Sequence, residues 1–440
     1  MIFLKKNRRL LSIFFFLNSY LLAFNLFGQS NLSETAHKDR IMWYAGDWVS
    51  SVSSNSDSIA EKPELRVSCR PTMNNQSLQV EVFQMQDGVY KNIVSEQLSY
   101  DQKSDSLFAL GQNGEGVLFL GKGTFSNHKN GWDMLDIDMS GKPFMTAKFT
   151  FNNFTDLSIE GFDPSEKSLW KVKYIKQNSK RKNIGIQLVS VHEDMLKDPE
   201  GTLKQLGRMG YSFVETFVYS DGLFYGMKAQ EFKASVEKQG MKFLGSMTFY
   251  DLPQKGKWEE AMKWWQNCIA DHKKAGVEYL STSNHQLKQV RSEEELEAYC
   301  KYYNAVGKLC KENGLTFVYH NHADEFLEVN GKPIYDYFLA HTNPEYVSFQ
   351  SDLYWMYKGG VDPKDYFEKY PKRFVSWHMK DEKELGESGK IDFKELIKLK
   401  ELAGLQYLVA EVEDYSYPPL FSVNLAWRYI FYDLLDEISQ

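Results

Sequence analysis

Four polar clusters in the last third of the chain, each directly after an apolar run, constrain the fold more than any other feature. The clusters carry Glu325, Asp352, His378 and Glu411, which follow one another at intervals of 27, 26 and 33 residues. Each interval is about the length of one strand–helix unit. Polar side chains at the ends of successive parallel strands meet at one face of a (β/α)₈ barrel. The spacing therefore predicts a TIM barrel with a polar site at that face.

The rest of residues 183–440 has the same strand–helix alternation. Short apolar strands follow amphipathic segments that end at Gly210, Gly240, Gly276 and Gly314, a repeated signal for the carboxyl end of a helix. The length of this region is close to the roughly 250 residues typical of such a barrel. We therefore expect eight parallel strands and their helices between residues 183 and 440.

Residues 43–175 have a different texture, with short alternating runs between turn signals about every ten residues. Seven such runs, the first at 65–69 and the last at 169–174, indicate an antiparallel domain that is either a barrel or a jelly-roll sandwich. The opening Gly46-Asp47-Trp48 resembles the Gly-x-Trp opening of lipocalin-like barrels, in which the tryptophan closes the base. The chain is thus expected to be multidomain, with this lipocalin-like β domain before the TIM barrel.

The first thirty residues read as an export signal. Four basic residues, Lys5, Lys6, Arg8 and Arg9, precede the apolar stretch 10–27, and small residues follow at 28–30. An uncleaved membrane anchor is the alternative, because 18 residues almost suffice to span a bilayer. Residues 31–42 are polar and are expected to be a linker. We expect an exported protein that is periplasmic or associated with the cell envelope, with the β domain contacting envelope or glycan.

The charge of the chain argues against a nucleic-acid partner. The formal net charge is −7, although the first thirty residues contribute only basic groups, so the remaining chain is more acidic still. Proteins that bind nucleic acid present a basic face to the phosphates. A carbohydrate is the expected partner instead, and the oligomeric state stays open.

Several segments resemble the xylose-isomerase-like TIM-barrel superfamily, and within it the sugar phosphate isomerase/epimerase branch, which includes inosose dehydratases and ketose 3-epimerases. The segments that carry the resemblance are 184–188, 210–215, 319–326, 360–363, 378–381 and 389–393. The series His-x-His-x-x-Glu, Asp, His-x-Lys-Asp and Glu occurs here in that order. The resemblance covers nearly all of residues 183–440.

The resemblance implies one divalent metal held by Glu325, Asp352, His378 and Glu411. The identity of the first ligand is open, because relatives often have Glu at the end of the fifth strand, where this chain has His320. Either His320 or His322 is an alternative to Glu325 as this ligand. Three carboxylates and one imidazole suit Mn²⁺, Mg²⁺ or Co²⁺, with Zn²⁺ as a further candidate.

Such a metal stabilises an enediolate, so that a proton can move next to a carbonyl group. Glu325 and Glu411 are expected to carry the proton, with Lys380 and His322 as further catalytic groups. Substrate contacts are expected from His320, Glu215 and Trp355.

The expected function is that of an exported, metal-dependent sugar isomerase or epimerase acting on a carbohydrate or polyol. Export argues against a phosphorylated substrate, because free sugar phosphates belong to the cytoplasm. The alternatives are a lyase or hydratase acting on a keto-sugar or 3-keto-glycoside, and a non-catalytic carbohydrate-binding protein.

Overall fold

The computed structural model describes residues 36–435 except 54–55, 57, 60–62, 74, 126–129 and 181. The predicted signal peptide, residues 1–30, lies outside the described residues. Within the described part of the chain, no helix is both long and apolar enough to cross a membrane.

Residues 46–176 form a closed antiparallel barrel of ten strands, in which each strand pairs with its neighbours in sequence and the last pairs with the first. This order is that of a barrel, and it excludes the jelly-roll alternative. The strands are β1 (Gly46–Ser50), β2 (Leu65–Thr72), β3 (Ser77–Gln86), β4 (Val89–Asp101), β5 (Ser106–Asn113), β6 (Leu118–Thr124), β7 (Gly131–Asp138), β8 (Pro143–Asn153), β9 (Asp156–Phe162) and β10 (Ser168–Lys176).

Two of these strands, β4 and β5, were absent from the sequence expectation. The side chains of β4 are mostly half-buried and many are polar, so this strand lacks the apolar alternation that marks the others. Pairing with β3 and β5 holds it in place instead. Tertiary pairing therefore outweighs a weak local pattern here.

Aromatic side chains close one end of this first barrel. Trp48 is fully buried and donates its indole N–H to the carbonyl of Tyr44 at 2.7 Å. The ammonium of Lys176 lies 4.6 Å from the Trp48 ring centroid. Residues 36–42, expected to belong to a linker, form the helix His37–Arg40 and the start of the 3₁₀ turn Ile41–Trp43, with residues 40–42 buried.

The second barrel is closed and parallel, with eight strands in the order β11-β12-β16-β17-β18-β21-β22-β23. Its strands are β11 (Ile184–Gln187), β12 (Phe213–Thr216), β16 (Lys242–Met247), β17 (Tyr279–Thr282), β18 (Thr316–His320), β21 (Val347–Asp352), β22 (Phe374–Met379) and β23 (Tyr407–Ala410). Short strands in the loops between them are β13 (Tyr219–Ser220), β14 (Leu223–Phe224), β15 (Met227–Lys228), β19 (Glu328–Val329) and β20 (Lys332–Pro333). The TIM-barrel prediction is confirmed.

Helices surround this barrel. They are His192–Lys197, Pro199–Met209, Ala229–Glu237, Trp258–Ala275, Glu293–Glu312, Ile334–His341, Leu353–Lys358, Pro363–Lys369, Phe393–Lys398, Lys400–Ala403 and Pro419–Arg428, the last continuing as a π-helix, Tyr429–Leu435. Short 3₁₀ turns occur at Leu188–Val191, Leu287–Gln289 and Asp324–Phe326. Ser292 and Glu295 form a reciprocal capping box at the start of one helix, and Gly210 ends another at φ 107°.

The two barrels pack against each other through the helix Pro419–Arg428. Phe421 stacks on Phe154 at 5.3 Å between ring centroids and meets Trp43 edge-on at 6.3 Å. Asn178 donates to the carbonyl of Met209 at 2.8 Å. The aromatic side chains at the closed end of the first barrel are therefore part of its interface with the second barrel.

The side chains inside the second barrel form successive layers along its axis. A separate apolar cluster fills its lower part and includes Phe213, Val318 and Val409. Residues two positions later along a strand point to the same side. This register puts Glu215, His320 and Glu411 above the apolar layer, toward the carboxyl ends of the strands.

Candidate active site

Three of the residues singled out from the sequence converge at the carboxyl ends of neighbouring strands. His320, Asp352 and His378 end or nearly end β18, β21 and β22, and they offer donor atoms that all lie within 4.8 Å of one another. Their exposed fractions are 2%, 0% and 0%. A buried carboxylate among imidazoles is costly without a cation nearby, so this group has the composition of a metal site.

Glu411 adjoins this group from the end of β23. Its Oε2 atom contacts Nδ1 of His378, and its Oε1 atom accepts from Nζ of Lys380 at 3.4 Å. The ammonium of Lys380 also bonds Glu413. Although burial by itself favours protonation, the charges of His378 and Lys380 hold the pKa of Glu411 well below its usual range. Glu411 is therefore a carboxylate at neutral pH.

Glu325, the residue predicted to be the first metal ligand, lies away from this group. Its carboxylate accepts from the Tyr319 hydroxyl at 2.7 Å and from the backbone N–H of His322 at 2.8 Å. The Tyr319 ring packs against Phe338 on a surrounding helix, so this face of β18 looks outward. Burial raises the pKa of Glu325 to about 7.

His320, the alternative to Glu325 as the first ligand, belongs to the donor group. It follows Val318 on the inward face of the strand, whereas Tyr319 on the outward face binds Glu325, which lies beyond the strand in the turn Asp324–Phe326. The period of two along a strand was the signal in the sequence that puts His320 on the inward face.

His322 and Trp355, predicted as catalytic and substrate-binding residues, lie together beside the group. The His322 ring centroid is 4.8 Å from that of His320 and 5.6 Å from that of Trp355. Its Nδ1 atom is buried and has no hydrogen-bond partner among the described residues. Burial lowers the pKa of His322 to about 3, so its ring is neutral at pH 7.

Glu215, predicted as a substrate contact, lies below the group, and its carboxylate binds His378. Its Oε1 atom accepts from Nε2 of His378 at 3.0 Å and from Gln187 at 2.6 Å. Its Oε2 atom accepts from the Tyr279 hydroxyl at 2.5 Å and from Gln350 at 2.8 Å. Sequence analysis missed Gln187, Tyr279 and Gln350, although Gln350 shares the inward face of β21 with Asp352.

The donor set fits a divalent metal ion. The Oδ1 atom of Asp352 accepts from the backbone N–H of Trp355 at 2.9 Å, but its Oδ2 atom is buried and has no hydrogen-bond partner within the described chain. Burial and the charge of Glu411 raise the pKa of Asp352 to about 8. An orphaned carboxylate oxygen next to two imidazoles is the arrangement that a bound cation would satisfy.

A recess adjoins the group between the loops that follow β16 and β17. Its wall includes Phe249, Tyr250, Ser283, Asn284, His285 and Tyr303. The ring centroids of His285 and His322 lie 5.3 Å apart, which connects the recess to the buried group. None of the described residues that line the recess is Lys or Arg. The Ser283 hydroxyl is buried in its wall and has no hydrogen-bond partner among the described residues.

Proteins of known structure share the fold of the second barrel. Two sugar phosphate isomerases/epimerases from Parabacteroides distasonis ATCC 8503 match it with a TM-score of 0.54 each. One is 25% identical and the match covers 57% of this chain and 93% of that one. The other is 28% identical, with coverages of 57% and 98%.

Sequence comparisons agree with this likeness. An inosose dehydratase from Clostridium tetani (strain Massachusetts / E88) is 27% identical over 150 residues, which are 33% of this chain and 47% of that protein. The match thus spans about half the length of the curated relative. These relatives support an enzyme in the isomerase or lyase range. The family model described as the xylose isomerase-like TIM barrel matches residues 203–428, and the chain therefore belongs to that family.

Proposed function

We propose that the second barrel is a divalent-metal-dependent enzyme that transfers a proton next to a carbonyl group of a non-phosphorylated carbohydrate or polyol, as an isomerase or epimerase. The observation that carries this proposal is the convergence of His320, Asp352 and His378, with Glu411 beside them, at the carboxyl ends of the strands. In this fold, catalytic groups lie at that face.

The metal would be held by His320, Asp352, His378 and Glu411. Two imidazoles and two carboxylates form a mixed nitrogen and oxygen set, which favours Mn²⁺, Co²⁺ or Zn²⁺ over Mg²⁺. Once bound, such an ion stabilises negative charge on substrate oxygens. The proposal changes the first ligand from Glu325 to His320, because both carboxylate oxygens of Glu325 are hydrogen-bonded outside the group.

Two nearby side chains have the protonation states that the reaction needs. Although burial opposes its charge, Glu413 and Glu411 raise the pKa of Lys380 far above neutral, so its ammonium can donate to a substrate oxygen. His322 is a neutral imidazole with an unpartnered nitrogen, so it can accept a hydrogen bond from a substrate hydroxyl. A positioned acid such as Lys380 typically contributes about 10²–10⁴-fold to the rate.

The surroundings of the group suit a neutral substrate better than a phosphate. The recess wall carries aromatic, amide and hydroxyl groups and the acid Asp251, whereas phosphate sites are built from Arg, Lys or helix amino termini. Hydroxyl-rich carbohydrates match such walls, because they exchange hydrogen bonds and stack on aromatic rings. The proposal includes export, on the strength of the basic and apolar residues 5–27.

A lyase is the second candidate, favoured by the similarity to an inosose dehydratase. Both reactions begin with removal of a proton next to a carbonyl group. They differ in whether the proton returns to carbon or a hydroxide leaves.

The test has two stages. Metal content is measured on the purified protein and on Asp352→Asn, and about one divalent ion per chain is expected only in the first. The metal-loaded protein is then incubated with keto-sugars and polyols in deuterated water. A deuterated product with the same molecular formula as the substrate, apart from the isotope, supports an isomerase. A product that has lost one water molecule supports a lyase. A protein without a stoichiometric metal, whose melting temperature EDTA leaves unchanged, would exclude both.

A further inference from the structure

We propose that Glu215 is a positioning residue that holds both histidine donors of the metal site and supplies a negative charge beneath it. This inference rests on the proposed function, because it concerns the same group of donors. Glu215 lies on β12, across the barrel from the strands that carry His320 and His378. It reaches His378 directly and His320 through Gln350.

The direct contact orients His378. Nε2 of His378 lies 3.0 Å from Oε1 of Glu215, so this nitrogen carries the proton and donates it to the carboxylate. The other nitrogen, Nδ1, points toward Glu411 and the centre of the donor group, where it donates to the Glu411 carboxylate as long as no metal takes that proton's place. A hydrogen bond to one ring nitrogen selects the tautomer in which the other can bind a metal.

The indirect contact orients His320 in the same way. Gln350 donates from its amide to Oε2 of Glu215 at 2.8 Å and to the Ser376 hydroxyl at 2.9 Å. Its Oε1 atom therefore faces Nδ1 of His320, at 3.1 Å, and accepts the proton from it. His320 is left with Nε2 free for a metal. One carboxylate thus determines which nitrogen each of the two imidazoles presents.

Glu215 also contributes charge. Two of the four proposed ligands are imidazoles, and the charge of Glu411 is partly offset by Lys380. Three of the four donors to Glu215, namely Gln187, Tyr279 and Gln350, are neutral. Glu215 is fully buried, so water screens the electrostatic interaction between its charge and the donor group only weakly.

The experiment measures metal affinity on metal-free protein by titration calorimetry with Mn²⁺ and Zn²⁺. Glu215→Gln keeps the shape of the side chain and removes the charge, and it should weaken binding by about 10- to 100-fold, the usual effect of losing such a partner. Tyr279→Phe is the matched control, because it removes one hydrogen bond to Glu215 but leaves the charge. It should change the affinity by less than about 3-fold, well below the effect of the charge loss.

A second variant covers the case in which Glu215→Gln does not fold. Gln350→Met cuts the connection to His320 and leaves Glu215 on His378, and it should weaken binding by about 10-fold. Nitrogen NMR of the histidines in the metal-loaded protein gives a further readout. His378 should keep its proton on Nε2 and bind metal through Nδ1 in the original chain, whereas Glu215→Gln should show a mixture of the two binding modes.

Unchanged affinity in Glu215→Gln, or an equal loss in Tyr279→Phe, would overturn the inference and leave the proposed function standing. An original chain that binds neither metal would overturn both.

Discussion

Asp352 and His378 are register partners on the neighbouring parallel strands β21 and β22. Direct opposition of the two residues brings an orphaned carboxylate oxygen next to an imidazole inside the barrel. This register belongs to the parallel strand pairing that also closes the barrel. Site geometry and barrel packing therefore depend on the same pairing.

Asp352→Asn should separate metal binding from folding. The carboxylate is fully buried, and burial together with Glu411 opposes its charge. Without metal, the neutral amide should leave the chain as stable as the original or slightly more stable, by about 1 kcal/mol. Added metal should raise the melting temperature of the original chain only. Differential scanning calorimetry with and without Mn²⁺ checks this, and a metal-induced shift of equal size in the variant would contradict it.

Glu325→Gln should retain stoichiometric metal. Both carboxylate oxygens accept hydrogen bonds from Tyr319 and His322, so none is directed to the donor group. Elemental analysis after gel filtration measures the metal, with His320→Ala as the matched variant on the inward face. Loss of metal in Glu325→Gln and retention in His320→Ala would restore Glu325 as the ligand.

Glu325 should also make stability fall as the pH rises. Its pKa is about 7 in the folded chain and about 4.5 when unfolded, because burial disfavours the charged form. Its favourable contribution is therefore complete below pH 4.5 and is lost as the pH rises through 7, by about 3 kcal/mol in all. Urea unfolding of the original chain and of Glu325→Gln between pH 5 and 8 measures the difference. Parallel pH curves for the two chains would refute this assignment.

Lys380→Met should lower turnover and spare metal binding. The ammonium binds Glu411 and Glu413, and it is the charged donor nearest to the proposed ligands. Its removal should reduce kcat by about 10²–10⁴-fold once a substrate is in hand. Lys390→Met, which breaks the exposed pair with Glu382, is the control and should be nearly neutral. A variant with full kcat would remove Lys380 from the reaction.

Phe421→Ala should weaken the coupling between the barrels. Phe421 is fully buried and contacts Phe154 and Trp43, so truncation leaves a cavity at the interface. The expected cost is about 3–5 kcal/mol, whereas Leu169→Ala on the exposed face of β10 should cost less than about 0.5 kcal/mol. Thermal unfolding should separate into two transitions in Phe421→Ala. A single transition at the original temperature would contradict this interface.

Much of the site could be predicted from local sequence. Asp352, His378 and Glu411 come at or directly after the ends of buried strands, and in a parallel barrel those ends meet at one face. The positions of Glu325 and His320 were harder to predict. The alternation along β18 puts His320 on the inward face, but Glu325 lies beyond the strand in the turn Asp324–Phe326, and only the tertiary structure shows that its carboxylate binds Tyr319 and His322.

The sequence by itself determined that an antiparallel β domain precedes a TIM barrel, and at which end of the TIM barrel polar side chains collect, because apolar periodicity and strand–helix spacing are properties of neighbouring residues. The tertiary structure decided that the β domain is a closed barrel and not a sandwich. Only the tertiary structure decided the role of Glu215. It lies 163 residues before His378 in the chain and meets it across the barrel interior, together with Gln187, Tyr279 and Gln350. Closure of the barrel brings these residues together, and no local pattern encodes a contact made through closure.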